Sequence, residues 1–190
     1  MSGDRVGGYV LVGGESRRMG EPKALIDVGG HTAAAAVRDR LLAGGCDSAT
    51  LVASHRSPER IREMSGVLDD GSGPVGAVAA ALEHCDLEFA FIVAVDHLGL
   101  GSDDVARLIS IARSTRDSGP VVCASAPSGR QPLISVWPTS AMIDLVRRRR
   151  ALGVDSMADL LQEVNVLDVQ LPERSCLNVN TPEDLRRLVE

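Results

Sequence analysis

Apolar residues in this chain come in short runs, separated by polar stretches rich in glycine, proline and aspartate. Residues 9–12 (YVLV) predict a first strand, which opens into a polar, glycine-rich stretch ending at Lys23. Residues 24–30 (ALIDVGG) read as a short extended piece closed by a turn. Thr32 is placed to cap a helix reaching about Leu42, with Gly44 and Gly45 ending it. Residues 49–54 are a second apolar strand, Pro58 stands near the start of a short helix, and residues 66–68 form a brief strand that delivers Asp69 and Asp70 to its carboxyl end. Pro74 opens a helix of almost entirely small residues, PVGAVAAALEH, suited to close packing on a sheet. Residues 89–95 (FAFIVAV) are the most apolar run and predict a central parallel strand buried on both faces.

Beyond it, Ser102 is placed to cap a helix over DDVARLISIAR, strands are predicted at 121–125 and 133–137, and helices at 141–150 and 156–161. VNVLDVQL predicts a strand, and Thr181 and Pro182 cap and begin a last helix. Strands alternate with helices throughout. The pattern predicts an α/β fold, one domain over residues 1–190, with a mainly parallel sheet and helices on both sides.

Composition narrows the function. The 190 residues are 44% apolar and suit one globular core. Twenty Lys and Arg stand against 26 Asp and Glu, a net charge of −6, and aromatic residues are 2%. That combination argues against a general nucleic-acid binder, which needs basic surface and rings for stacking. No apolar run approaches the length of a membrane span, and no signal peptide is visible. Cys46, Cys85, Cys123 and Cys176 are scattered, without zinc-ligand spacing, and read as reduced, mostly buried residues of a cytoplasmic protein. The block Arg147, Arg148, Arg149, Arg150 reads as the solvated end of a helix, where cations suit the dipole.

The polar chemistry falls at three predicted strand ends, where ligands bind in open α/β sheets. The first is LVGGESRRMGEPK. Its glycines let bare backbone N–H groups approach an anion, and Arg17, Arg18 and Lys23 add positive charge. It is neither a Walker loop nor a dinucleotide fingerprint: Glu21 follows Gly20, and Gly13 and Gly14 are adjacent. The second is Asp69 and Asp70 before Gly73 and Pro74, which on residues alone reads as a plain turn at Asp69-Asp70-Gly71. The third is Asp96, either a Mg²⁺ carboxylate or a loop cap. No Gly-x-Ser-x-Gly nucleophile motif is present.

LVGGESRRMGEPK resembles the signature loop of the nucleotidyltransferases, most closely that of the molybdenum cofactor guanylyltransferases. DDGSGPVGAV, VDHLGL and NVNTPEDL match further motifs of that family in order. The resemblance implies a three-layer sandwich with a Rossmann-like sheet, of the nucleotide-diphospho-sugar transferase type. It also implies a Mg²⁺-dependent transfer of GMP from GTP to the phosphate of molybdopterin-bound molybdenum, with molybdenum-insertion or acceptor proteins as partners. Carried over residue by residue, Leu11, Val12, Gly13 and Gly14 hold the nucleotide. Lys23 and Arg18 meet its phosphates, Asp96 holds Mg²⁺, and Asp70, or Asp69 in its place, contacts the guanine nucleotide. His55 stands where an asparagine often contacts the nucleotide. Gln131, Asn178 and Asn180 face the acceptor, Asn180 doubling as a candidate cap for the last helix.

The chain departs from the family pattern at several points. Pro22 stands in place of Asp and Val12 in place of Ala. Val95, His97 and Leu98 alter the Cys-Asp-x-Pro-like loop, and the segment after Asp70 is short. These departures leave two other readings: the same fold using CTP or another phosphate acceptor, and a nucleotide-binding partner without turnover.

Overall fold

Strand β1 is longer than its apolar pattern predicts, running Val6–Leu11. Gly7 and Gly8 hide its first half from a hydrophobicity reading, and Gly8 is glycine for a reason. A Cβ there would stand 3.0 Å from Leu41 of the first helix and from the Ser48 carbonyl of the next strand. The computed structural model describes residues 4–13 and 22–189.

After β1 the described chain resumes at Pro22 and makes a single 3₁₀ turn, Lys23–Leu25. The predicted extended piece is thus a tight turn followed by a small hairpin, β2 (Asp27–Val28) and β3 (His31–Thr32), turning through Gly29 and Gly30 at positive φ. Helix α1, Ala33–Ala43, begins as expected: the Thr32 side chain accepts from the Ala35 N–H at 3.2 Å. Next come β4 (Ser48–Ser54), α2 (Glu59–Met64), β5 (Val67–Asp69), α3 (Pro74–His84) and β6 (Phe89–Ala94). Helix α4 runs Ser102–Ser114. Its cap is Gly101, not Ser102, and the Asp104 carboxylate accepts from the Gly101 N–H at 3.1 Å.

Strands β7 (Val121–Ala126) and β8 (Gly129–Pro138) form a hairpin. The chain ends with α5 (Thr139–Ala151), α6 (Met157–Leu161), β9 (Val166–Gln170), α7 (Glu173–Cys176) and α8 (Pro182–Val189). The four-residue α7 has too little periodicity to be read from sequence.

Seven strands form one sheet in the order β5-β4-β1-β6-β8-β7-β9. All neighbours are parallel except β6/β8 and β8/β7. The expectation for β6 therefore holds on one side only: it is parallel to β1 and antiparallel to β8. Local sequence does not show this, because a strand buried on both faces is a continuous apolar run whatever its neighbour's direction. Alternation splits β6 between two cores. Phe89, Phe91 and Val93 pack with α1 and α4, while Ala90 and Ile92 pack with α3, α5 and α6. Trp137 is fully buried, and its indole N–H donates to Ser135 Oγ at 2.7 Å. Each fully buried side chain of Val, Leu or Phe size contributes about 1.5–3 kcal/mol. These two apolar layers clamp the sheet from both sides and hold its carboxyl edge fixed.

The arginine block at the end of α5 is not simply solvated. Arg147 pairs with Glu83, Arg149 with Glu163 and Arg150 with Asp70.

Candidate active site

Strands β1, β4, β5 and β6 run parallel, so their carboxyl ends share one edge of the sheet. Val12 and Gly13 leave β1 there, with the Val12 N–H held by the Val52 carbonyl at 2.9 Å. His55 follows β4, Asp69 ends β5, and Asp96 lies two residues beyond β6. The antiparallel β8 delivers its start to the same edge. Ile134 pairs with Val93, so Gln131 lies beyond the last β6 pair, where its side chain donates to the Gly129 carbonyl at 3.3 Å. Gly14 and Arg18, with Arg17, lie outside the described residues.

Lys23 is the meeting point. The 3₁₀ turn, closed by the Leu25 N–H on the Pro22 carbonyl at 2.9 Å, sets it facing the end of β6. Its ammonium donates to Asp96 Oδ2 at 3.1 Å and to Asn180 Oδ1 at 2.5 Å. Asp96 and Asn180, from two other motifs, thus converge on one cation.

The loop after Asp96 is anchored at each step despite its unusual sequence. The Asp96 carbonyl accepts from the Val179 N–H at 2.9 Å, and the Leu98 carbonyl from Arg40 Nη1 at 2.5 Å. The His97 ring is buried, and that burial pushes its pKa down. A Cβ at Gly99 would run into the Arg174 carbonyl, so the loop lies directly on α7. Arg40 and α7 do the holding that a proline could do by restricting φ. Sequence reasoning missed Arg40, which follows Arg38 and Asp39 on α1 and carries no signal that sets it apart from them.

Among the described residues, Asp96 Oδ1 is buried with no hydrogen-bond partner. An anionic oxygen in that state is costly unless a cation or donor meets it. Among the described residues no cluster of three His, Cys, Asp or Glu could hold a metal alone. The residues present therefore fit a divalent ion bound by one carboxylate and completed by phosphate oxygens and water, the usual habit of Mg²⁺.

At the end of β5, Asp69 is buried and accepts the Gly71 N–H through Oδ1 at 2.5 Å. Burial raises its pKa. Asp70 is exposed. Its Oδ1 accepts from Ser72 N and Oγ at 3.1 and 2.6 Å, its Oδ2 is paired with Arg150, and these bonds hold its pKa at about 2. His55 is exposed and donates its backbone N–H to the Asp69 carbonyl at 3.1 Å.

At the acceptor side, Asn178 is exposed and its carbonyl accepts from Asn180 Nδ2 at 3.4 Å. Asn180 does not cap α8. Thr181 Oγ1 accepts from the Asp184 N–H at 3.2 Å, while Asp184 Oδ2 accepts from the N–H groups of Thr181 and Asn180 at 2.9 and 3.0 Å. That reciprocal cap leaves the Asn180 side chain to Lys23.

A family model described as the MobA-like NTP transferase domain matches residues 8–166. A molybdenum cofactor guanylyltransferase of Rhodopseudomonas palustris is 35% identical over 198 aligned positions, covering 93% of this chain and 87% of that protein. The chain belongs to this family of transferases. It is a nucleotidyltransferase of molybdenum cofactor biosynthesis. Solved structures agree on the transferase fold. A molybdopterin-guanine dinucleotide biosynthesis protein A from Archaeoglobus fulgidus superposes with a TM-score of 0.72 at 22% identity, covering 96% of each chain. A nucleotidyl transferase from Methanothermobacter gives 0.76 at 18% identity, covering 98% of this chain and 96% of that one. In the described part of the transferase, no helix is long and apolar enough to cross a membrane.

Proposed function

We propose that this transferase moves GMP from GTP to the phosphate of molybdopterin-bound molybdenum, using Mg²⁺ and releasing pyrophosphate. The observation that carries the reading is the convergence of Lys23, Asp96 and Asn180 at the carboxyl edge of the sheet, at 3.1 and 2.5 Å. A phosphate-binding cation, a metal carboxylate and an acceptor-side amide meet at one point. The acceptor phosphate oxygen attacks the α-phosphorus in line. The bond from that phosphorus to the bridging oxygen breaks, and pyrophosphate leaves with the electron pair.

A phosphate is already ionised at neutral pH, so the reaction needs no strong general base, and positioning with charge neutralisation supplies the rate. Asp96 would hold Mg²⁺, which when bound offsets phosphate charge. Lys23 binds the same phosphates and opposes the charge gathering on the leaving group. Asn180, with Asn178 and Gln131 along the edge, orients the acceptor. Leu11, Val12 and Gly13 line the nucleotide side, with His55 beside them and a carboxylate at the end of β5 for the base; the roles of Gly14 and Arg18 rest on the sequence motif alone. The four cysteines are unpaired and buried, which supports a cytoplasmic setting.

Pyrophosphate release with molybdopterin as acceptor, measured with GTP, CTP, UTP and ATP in Mg²⁺, tests the assignment. GTP should give the highest kcat/KM. Faster release with CTP would overturn the guanylyl assignment, and no release with any nucleotide would overturn the activity.

A further inference from the structure

Lys23 spends at least two of the three donors of its ammonium inside the protein. One goes to Asp96 Oδ2 at 3.1 Å and one to Asn180 Oδ1 at 2.5 Å. Asn180 is exposed, yet both ends of its amide are engaged within the chain. Its Oδ1 accepts from the lysine, and its Nδ2 donates to the Asn178 carbonyl at 3.4 Å. The cation assigned to the phosphates and the amide assigned to the acceptor thus satisfy each other. The reaction needs both at once, each in a different bond.

The backbone around this bond is fixed on both sides. The Val179 N–H donates to the Asp96 carbonyl at 2.9 Å, tying the segment before Asn180 to the end of β6. The Asn180 and Thr181 N–H groups donate to Asp184 Oδ2 at 3.0 and 2.9 Å, at the start of α8. Lys23 sits in its closed 3₁₀ turn. The contact can therefore open through side chains alone, and no helix cap depends on it. An amide carbonyl is a weaker acceptor for an ammonium than an anionic phosphate oxygen. A metal triphosphate that reaches Lys23 outcompetes Asn180 for it.

We infer that the Lys23–Asn180 hydrogen bond is a coupling latch that each substrate breaks, the triphosphate by drawing off Lys23 and the acceptor by taking the Asn180 amide. This rests on the roles given to Lys23 and Asn180 above. The cost of breaking one bond is met once, by whichever substrate arrives first, and the second binds without it. Binding of the two is thereby cooperative, and the coupling is reciprocal. The latch also lowers the affinity for triphosphate alone, because only molecules with Lys23 released bind it at full strength. Asn180 is then a positioning residue for Lys23 as well as an acceptor contact. Its loss should weaken the acceptor and tighten the triphosphate.

Calorimetry with Mg²⁺ and inorganic tripolyphosphate, on the parent chain, Asn180→Ala and Asn178→Ala, tests the latch without a base or an acceptor. Asn180→Ala should bind tripolyphosphate about 3- to 10-fold tighter than the parent, the return of part of a hydrogen bond to a charged group. Asn178→Ala, which keeps Asn180 Oδ1 for Lys23, should stay within about 2-fold of the parent. General loosening of a site weakens binding, so a merely structural role for Asn180 does not produce tightening. Equal or weaker binding by Asn180→Ala overturns the inference, and so does an absence of binding in both proteins. A second titration measures molybdopterin on the parent with and without Mg²⁺ and α,β-methylene-GTP. The nucleotide analogue should tighten molybdopterin about 3- to 10-fold, and an unchanged or weaker affinity overturns the coupling. If the parent prefers CTP, the guanylyl assignment falls, while the tripolyphosphate comparison still decides the latch.

Discussion

Asp96→Asn separates the charge of this residue from its shape. In the folded protein Asp96 Oδ2 is 3.1 Å from Lys23 Nζ, both side chains about one-fifth exposed at 22%. Coulomb attraction at that distance, with an effective dielectric near 20, is about 5 kcal/mol. Withdrawing the two ions from water costs several kcal/mol each and offsets most of it. Its Oδ1, buried without a partner among the described residues, adds to that cost. Asparagine keeps an oxygen for Lys23 and loses the buried charge, so net stability should move by about 1 kcal/mol or less, or about 2–4 °C in Tm for a domain of this size.

Turnover should fall much further. A neutral amide is a poor Mg²⁺ ligand, and deleting one preorganised charge-stabilising group typically costs about 10²–10³ in rate. Because the charge it opposes grows as pyrophosphate departs, kcat should drop more than GTP affinity. The assay is pyrophosphate release at saturating GTP and molybdopterin, titrated with Mg²⁺, with a thermal melt on the same sample. The half-saturating Mg²⁺ concentration should rise. A variant with the parent's rate and Mg²⁺ dependence would show that Asp96 merely anchors its loop to Val179 and the Lys23 turn.

Four other substitutions and one titration test the remaining assignments. Arg40→Met removes the bond to the Leu98 carbonyl and should lower kcat with little change in GTP binding; an unchanged kcat means that the loop after Asp96 holds itself. Thr181→Ala should cost about 1 kcal/mol by chemical denaturation, and Asn180→Ala much less, since Thr181 and Asp184 make the cap; the reverse order would restore Asn180 as the cap. Asn178→Ala should raise KM for molybdopterin and leave that for GTP nearly constant, and equal losses would erase the division between donor and acceptor sides. Asp69 has its pKa raised by burial, so its ionisation opposes folding. Its favourable contribution is complete below the unfolded value of about 3.9 and is lost as pH rises through the higher folded value. Relative to the parent, the nucleotide-free Asp69→Asn protein should therefore gain stability between pH 4 and pH 7, and a difference that stays flat with pH would refute the burial argument.

What the sequence determined by itself is what depends on local spacing. Period and breakers gave α1, α3, β4, β6 and the alternation that builds a layered α/β domain. Thr32 acts as the cap its position foretells. Motif order carried the family, because four motifs in sequence are more specific than any glycine pattern alone.

The tertiary structure decided what depends on neighbours far along the chain. Nothing near residue 89 says that β8 returns antiparallel beside β6, since both pairings bury the same side chains. Nothing in Asp69-Asp70 tells the two carboxylates apart. Their division follows from strand alternation at β5, which buries Asp69, and from Arg150, which reaches Asp70 from the end of α5. Lys23, Asp96 and Asn180 are separated by 73 and 84 residues along the chain, the intervals from 23 to 96 and from 96 to 180. They meet because parallel strands bring every carboxyl end to one edge, and because α7 and the segment through Val179 lie across the end of β6. A side chain's partners are set by that packing, so its chemistry could be named from sequence, but its task could not.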